Sequence, residues 1–158
     1  MNIVVKVGAI LRNEHGQVLL IKERYEKGGE LKWNIIKGTY DDARETLADC
    51  VRREIREEAG VTVDTVSLRQ IYHYGNSTDT AKILFIFSAV VKNGNAFLPS
   101  LLEQEKRGED IVDFKWFSKA DLIIIPEQDY IAPYAFMATH DHDNIFDNTP
   151  IKIVNIAK

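Results

Sequence analysis

The segment 46–60 limits the possible folds more than any other, because it repeats like a helix but carries charge where core belongs. At about 100° per residue, Leu47, Cys50, Val51 and Ile55 fall on one side, the side that faces a protein body. Glu54 lies seven residues after Leu47 and Glu58 seven after Val51, so both continue the inward stripe. Glu57 sits at its edge, and Asp49, Arg52 and Arg56 point to solvent. Thr46 with Asp49 three residues on is a capping-box pattern, and Gly60 is a natural stop, which predicts a helix over 46–59.

Three carboxylates therefore meet in the last two turns of this helix, against the protein. Two like charges 4 Å apart repel by roughly 4 kcal/mol at an effective dielectric near 20. Such groups protonate or splay apart unless a cation holds them. The helix dipole adds to the conflict, since it disfavours anions at the carboxyl end. Hard cations such as Mg²⁺ take carboxylate oxygens as ligands. The residues leave two readings open: a cation site, or a solvated face on which Arg52, Arg53 and Arg56 pair locally.

The rest of the chain reads as strands around helices. Apolar runs at 4–11 and 17–25, separated by Asn13-Glu14-His15-Gly16, predict a β-hairpin. A second turn falls at 27–30, and a short apolar stretch follows at 33–36. Residues 38–44 are polar and read as irregular. Further strands are expected at 63–74, 81–91, 111–117 and 151–156, and a helix at 130–138 with Pro133 in its first turn. No periodicity is visible in 92–110. Strands before, between and after helices predict a mixed α/β layered domain. At 158 residues, one domain over 1–158 is expected.

Composition narrows the partners. With 20 Lys+Arg against 24 Asp+Glu the formal charge is -4, which argues against duplex nucleic acid or an anionic membrane. The single cysteine, Cys50, excludes an internal disulfide and fits a reducing compartment. No run approaches a membrane span, and residues 1–11 lack the features of a signal peptide. A cytoplasmic protein is expected.

Arg53-Glu54-Ile55-Arg56-Glu57-Glu58-Ala59-Gly60-Val61 resembles, at each fixed position, the Arg-Glu-aliphatic-x-Glu-Glu-x-Gly-aliphatic core of the Nudix box. Glu45 stands where the box has its upstream glutamate, and Gly38, preceded by Lys37, resembles its opening glycine. Six residues separate Gly38 from Glu45 where the box has five, so either the loop carries an extra residue or Thr39 takes the glycine's place. The preceding hairpin, Trp33 and the 114–117 strand are also similar to the Nudix hydrolase family, and the likeness spans about residues 3–122.

The resemblance implies a Nudix-type α/β/α sandwich with a mixed sheet between helices. It implies an Mg²⁺-dependent pyrophosphohydrolase, with Mn²⁺ as substitute, acting on a nucleoside diphosphate linked to another group. It also implies roles: Glu54 and Glu58 on the metal, Glu57 as further ligand or base, the Gly38 carbonyl as ligand, and Arg53 and Glu45 as supports. Family members recruit one more acid from the loop before the last sheet strand; of Glu103, Glu105, Glu109 and Asp110, Glu109 is the expected one, since Gly108 can bend the chain there.

Arg24 at a strand end is a candidate for phosphate, and Tyr72 and Tyr74 are candidates for stacking on a base. A core role competes for both tyrosines. His140-Asp141-His142-Asp143 reads as a polar surface turn and Cys50 as packing. Two other activities compete: a non-catalytic nucleotide-binding sensor, disfavoured because the box glutamates are kept, and an isoprenoid diphosphate isomerase, for which Cys50 is misplaced. Asn76 stands where ADP-ribose subgroups carry a proline, and Tyr72 and Tyr74 come too early for a dinucleoside-polyphosphate signature. The substrate among nucleotides stays open, and so does a homodimer.

Overall fold

The computed structural model describes residues 1–75, 77–92, 96–147 and 149–156. Asn76, which bears on the substrate subgroups, lies outside the described residues. The long strand β1 (Asn2–Asn13) is buried on both faces, which explains its continuous apolar run. Val7, Ala9 and Leu11 enter one core and Ile10 the other. Along its whole length β1 runs parallel to β6 (Thr80–Val91), from Asn2↔Thr80 to Asn13↔Val91.

The other edge of β1 is shared. Its middle pairs antiparallel with β4 (Ile36–Thr39), from Lys6↔Thr39 to Ala9↔Ile36, and its end meets β2 (Val18–Arg24) only at Arg12↔Val18. The expected hairpin turn is present, with Gly16 at φ 74° and its N–H donating to the Asn13 carbonyl at 3.0 Å. The hairpin does not zip further because β4 takes the edge that β2 would need. β2 turns away to pair with β3 (Leu31–Asn34) and β7 (Ile111–Phe117). The sheet thus splits beside β4, at residues expected to be irregular beyond Gly38.

β5 (Ser67–Tyr74) pairs antiparallel with β6, and β8 (Lys152–Asn155) joins β5 in parallel. One face of the sheet is covered by α1 (Leu47–Ala59). The other is covered by α3 (Lys119–Ile123), α4 (Pro133–His140) and α5 (His142–Phe146). A mixed eight-stranded sheet between helices is the expected α/β/α sandwich.

Helices α2 (Leu101–Arg107) and α3 were not expected from periodicity. Both begin with a capping box, Ser100 with Glu103 and Ser118 with Asp121. In α2 only Gln104 is buried, while Leu101 and Leu102 are 85% and 62% exposed, so no apolar stripe marks it. The reading of 140–143 as a surface turn is corrected: His142 is buried in α5, with Nδ1 2.8 Å from the Thr139 carbonyl. Asp141 joins α4 to α5 and bonds the side chains of Gln70 and Asn144.

Candidate active site

Helix α1 has the ends its sequence demands. The Thr46 hydroxyl accepts from the Asp49 N–H and the Asp49 carboxylate accepts from the Thr46 N–H; Gly60 closes the helix at φ 66°. Its inward stripe holds Cys50, Val51 and Ile55 together with Glu54 and Glu58, which are 6% and 5% exposed. The charged residues are therefore inside, as the helical spacing requires.

Strand β4 makes room for them. A Cβ on Gly38 would stand 1.9 Å from Glu54 Cδ, so glycine is needed where the carboxylate passes. The Lys37 N–H donates to Glu58 Oε2 at 3.0 Å. Gly38 thus faces Glu54 of α1. The Thr39 hydroxyl accepts from Lys6 Nζ at 2.7 Å, and its carbonyl faces the Cys50 thiol of α1. After Tyr40 the loop turns, with the Glu45 N–H donating to the Asp42 carbonyl at 3.2 Å.

Arg53 ties the acids together. It forks onto Glu45 at 2.8 and 3.2 Å, and its Nη1 reaches Glu54 at 2.7 Å and Glu57 at 3.3 Å. Past α2, Gly108 turns the chain at φ 67°, and Glu109 enters the same space. Arg107 holds that carboxylate with Nε at 3.0 Å and donates to the Glu57 carbonyl at 3.1 Å, linking the α2 turn to the end of α1.

Carboxylate oxygens of Glu54, Glu58 and Glu109 lie within 4.8 Å of one another. Glu57 lines the same cavity, of about 450 Å³, but stands outside that triad. Burial pushes Glu54 up to about 7, against the pull of Arg53, and raises Glu58 well above the carboxylate range. Burial raises Glu109 as well. Glu45 moves the other way, held down by its bond to Arg53. An all-oxygen, anionic and desolvated donor set of this kind could hold Mg²⁺ or Mn²⁺.

Of the other expected residues, Arg24 lines the cavity, with Nη1 on Asp110 at 2.9 Å and Nε on the Gly29 carbonyl. Tyr72 is buried in the core on the far side of the sheet, its hydroxyl bonded to Gln70, and Tyr74 leans on Tyr134 at 5.6 Å. Neither lines the cavity. Cys50 is buried against the Thr39 carbonyl, with its thiol pushed up to about 12 by burial, as packing requires.

Sequence reasoning passed over Glu23, Lys6 and Arg107, which line the cavity. Glu23 follows Leu19 and Ile21 at the strand period, the same clue that exposed Glu54 on its helix. It is half-buried and accepts from Asn34 Nδ2 at 2.7 Å.

The model of the NUDIX domain matches residues 3–139 of this chain. The chain belongs to the NUDIX family. Membership carries the family's reaction class, hydrolysis of a phosphoanhydride. No curated protein matches the sequence. Among solved structures, a NUDIX hydrolase from Nitrosomonas europaea is similar at TM-score 0.71 and 21% identity, over 99% of this chain and 81% of that one. The MutT protein of Methanosarcina mazei Go1 is similar at 0.68 and 20%, over 94% and 97%. The NUDIX domain of Shewanella oneidensis NrtR, solved with ADP ribose, is similar at 0.71 and 16%, over 93% and 90%. These likenesses share the NUDIX sandwich. Among the described residues, no helix is long and apolar enough to cross a membrane.

Proposed function

We propose that this chain, as one domain over 1–158, is an Mg²⁺-dependent cytoplasmic pyrophosphohydrolase, with Mn²⁺ as substitute. Its substrate is a nucleoside diphosphate linked to a further group, and water attacks one phosphorus. The observation that carries this reading is the buried carboxylate triad of Glu54, Glu58 and Glu109, held against Gly38. The ADP ribose bound by the NrtR domain supports a pyrophosphate-bearing ligand for this fold. Retention of the buried glutamates favours an enzyme over a sensor that only binds.

Glu54, Glu58 and Glu109 would hold the cation, and the Gly38 carbonyl would be a further ligand. When bound, the cation supplies charge neutralisation of the phosphates and a more acidic water. Glu57 is a further ligand or the base that takes the water's proton. Arg53, braced by Glu45, fixes the orientation of Glu54 and Glu57. Arg24 receives a phosphate oxygen at the cavity's rim.

A panel of nucleotides and nucleotide conjugates, scored for released phosphate, pyrophosphate or mononucleotide, tests the reading. At least one should be cleaved with Mg²⁺ and left intact in excess EDTA. Full turnover in EDTA would overturn the mechanism.

A further inference from the structure

Beyond the carboxylates, the sheet carries a second cluster of opposite sign. Strand register places Lys37 and Thr39 of β4, Lys6 of β1, Lys82 of β6 and Tyr74 of β5 on one face. Thr39 stands beside Lys6 and Tyr74 beside Lys82, while Gly8↔Lys37 and Val4↔Lys82 set Lys37 and Lys82 two residues from the level of Lys6, in opposite directions along β1. The row thus steps across two strand spacings of about 4.8 Å and along four residues of about 3.3 Å, about 16 Å between its outer backbone positions. Lys6 and Lys37 line the cavity of the acidic triad, and Lys82 continues the row outward.

The partners of these lysines are neutral. Lys37 Nζ donates to the Tyr134 hydroxyl at 2.6 Å and sits 4.6 Å from that ring's centroid. Lys6 donates to Thr39, and Lys82 lies 5.9 Å from the Tyr74 ring centroid. Among the described residues, none of the three ammonium groups has a carboxylate within 4.0 Å. Burial lowers the pKa of Lys6, and the charges of Lys37 and Lys82 lower it further. The more distant acids that favour their charge include Glu54 for Lys6, and Glu23 and Glu58 for Lys37. Two of these belong to the carboxylate triad, so a cation bound there withdraws part of the compensation and leaves the lysine row short of anions.

We propose that Lys37, Lys6 and Lys82 form a phosphate-tail subsite, so that the preferred substrates carry at least three consecutive phosphates. A conjugate whose second group is a neutral sugar offers this row nothing to bind. This deepens, and rests on, the phosphoanhydride-hydrolase reading. An ammonium is a compact point charge with three donors on a flexible stem, suited to phosphate oxygens in changing positions along a chain.

The test compares ATP with ADP-ribose, which has two phosphates followed by ribose, in wild type, Lys6→Met, Lys82→Met and Lys82→Arg. Methionine keeps the apolar stem, and melting temperatures check the fold. Wild type should favour ATP in kcat/KM. That preference ratio should fall about tenfold or more in both methionine variants, the size of a lost charge-assisted hydrogen bond, and return in Lys82→Arg. An unmoved ratio in both methionine variants, or the same loss in Lys82→Arg as in Lys82→Met, overturns the subsite. If wild type cleaves neither compound, these substrates fail the hydrolase reading, and calorimetry with an uncleavable methylene-bridged tripolyphosphate judges the subsite alone. Binding about tenfold weaker or more in Lys82→Met upholds it; equal binding overturns it.

Discussion

Gly38 and Glu54 form the contact on which the site's geometry turns. The spacing of the sequence left Gly38 and Thr39 as rivals, because a loop length says nothing about which residue a side chain passes. A Cβ on Gly38 would stand 1.9 Å from Glu54 Cδ, so this contact requires glycine at 38. Gly38→Ala must push the glutamate or the strand aside. A 1 Å misplacement near the chemistry costs about a hundredfold in rate, so turnover should fall by about that factor or more while the chain still folds. Near-wild-type turnover in Gly38→Ala would refute the contact. The glutamates themselves separate by burial: Glu58 is 5% exposed, whereas the side chain of Glu57 is 26% exposed and pairs with Arg53. Glu57→Gln and Glu58→Gln should each lower turnover by orders of magnitude. Only Glu58→Gln should clearly raise the metal-free melting temperature once pH passes the elevated pKa of Glu58, since it removes a desolvated charge. Assays of turnover and melting on the same preparations check both.

At the scale of elements, α1 was legible to the residue because its cap, stop and apolar stripe agree. Helix α2 was not, because it turns Leu101 and Leu102 outward and buries only Gln104. Its capping box and Gly108 were nevertheless readable as a start and a stop. The choice of Glu109 from sequence rested on Gly108, and the structure brings that carboxylate to Glu54 and Glu58. What sequence could not give is the clamp: Arg107 meets the Glu57 carbonyl fifty residues away in the chain. On the proposed reading, Arg107→Met frees Glu109 from this clamp and should weaken Mn²⁺ binding by about tenfold or more. Calorimetric titration with Mn²⁺ measures this, and circular dichroism should show the helices unchanged. Unaltered Mn²⁺ affinity would show that Glu109 needs no clamp.

The molecule as a whole was legible as a layered sandwich, since alternating strands and one amphipathic helix leave few other ways to bury their apolar faces. The split of the sheet was not, because it arises from competition between β2 and β4 for one edge of β1. That split admits buried acids, and their protons couple the site to global stability. Burial raises Glu54, Glu58, Glu109 and Glu23 in the folded state. A raised carboxyl binds protons more tightly folded than unfolded, so its contribution is complete below the unfolded pKa and is lost as pH rises through the folded one. For Glu54 that window runs from its ordinary 4.5 to about 7, on the order of 3 kcal/mol. Glu45 acts oppositely, since Arg53 lowers it, and its contribution is lost on acidification. The metal-free protein should therefore melt at a higher temperature near pH 5.5 than at pH 8. Mg²⁺ binds the ionised form, so its stabilising effect should be larger at pH 8. At a hundredfold excess over its dissociation constant it adds about 2.7 kcal/mol. In a domain of this size that raises the melting temperature by roughly 5–10 °C. Scanning calorimetry at both pH values, with and without Mg²⁺, reads all four numbers. Equal metal-free melting at the two pH values, with no rise from Mg²⁺ at pH 8, would mean that the buried carboxylates neither hold protons nor take the cation.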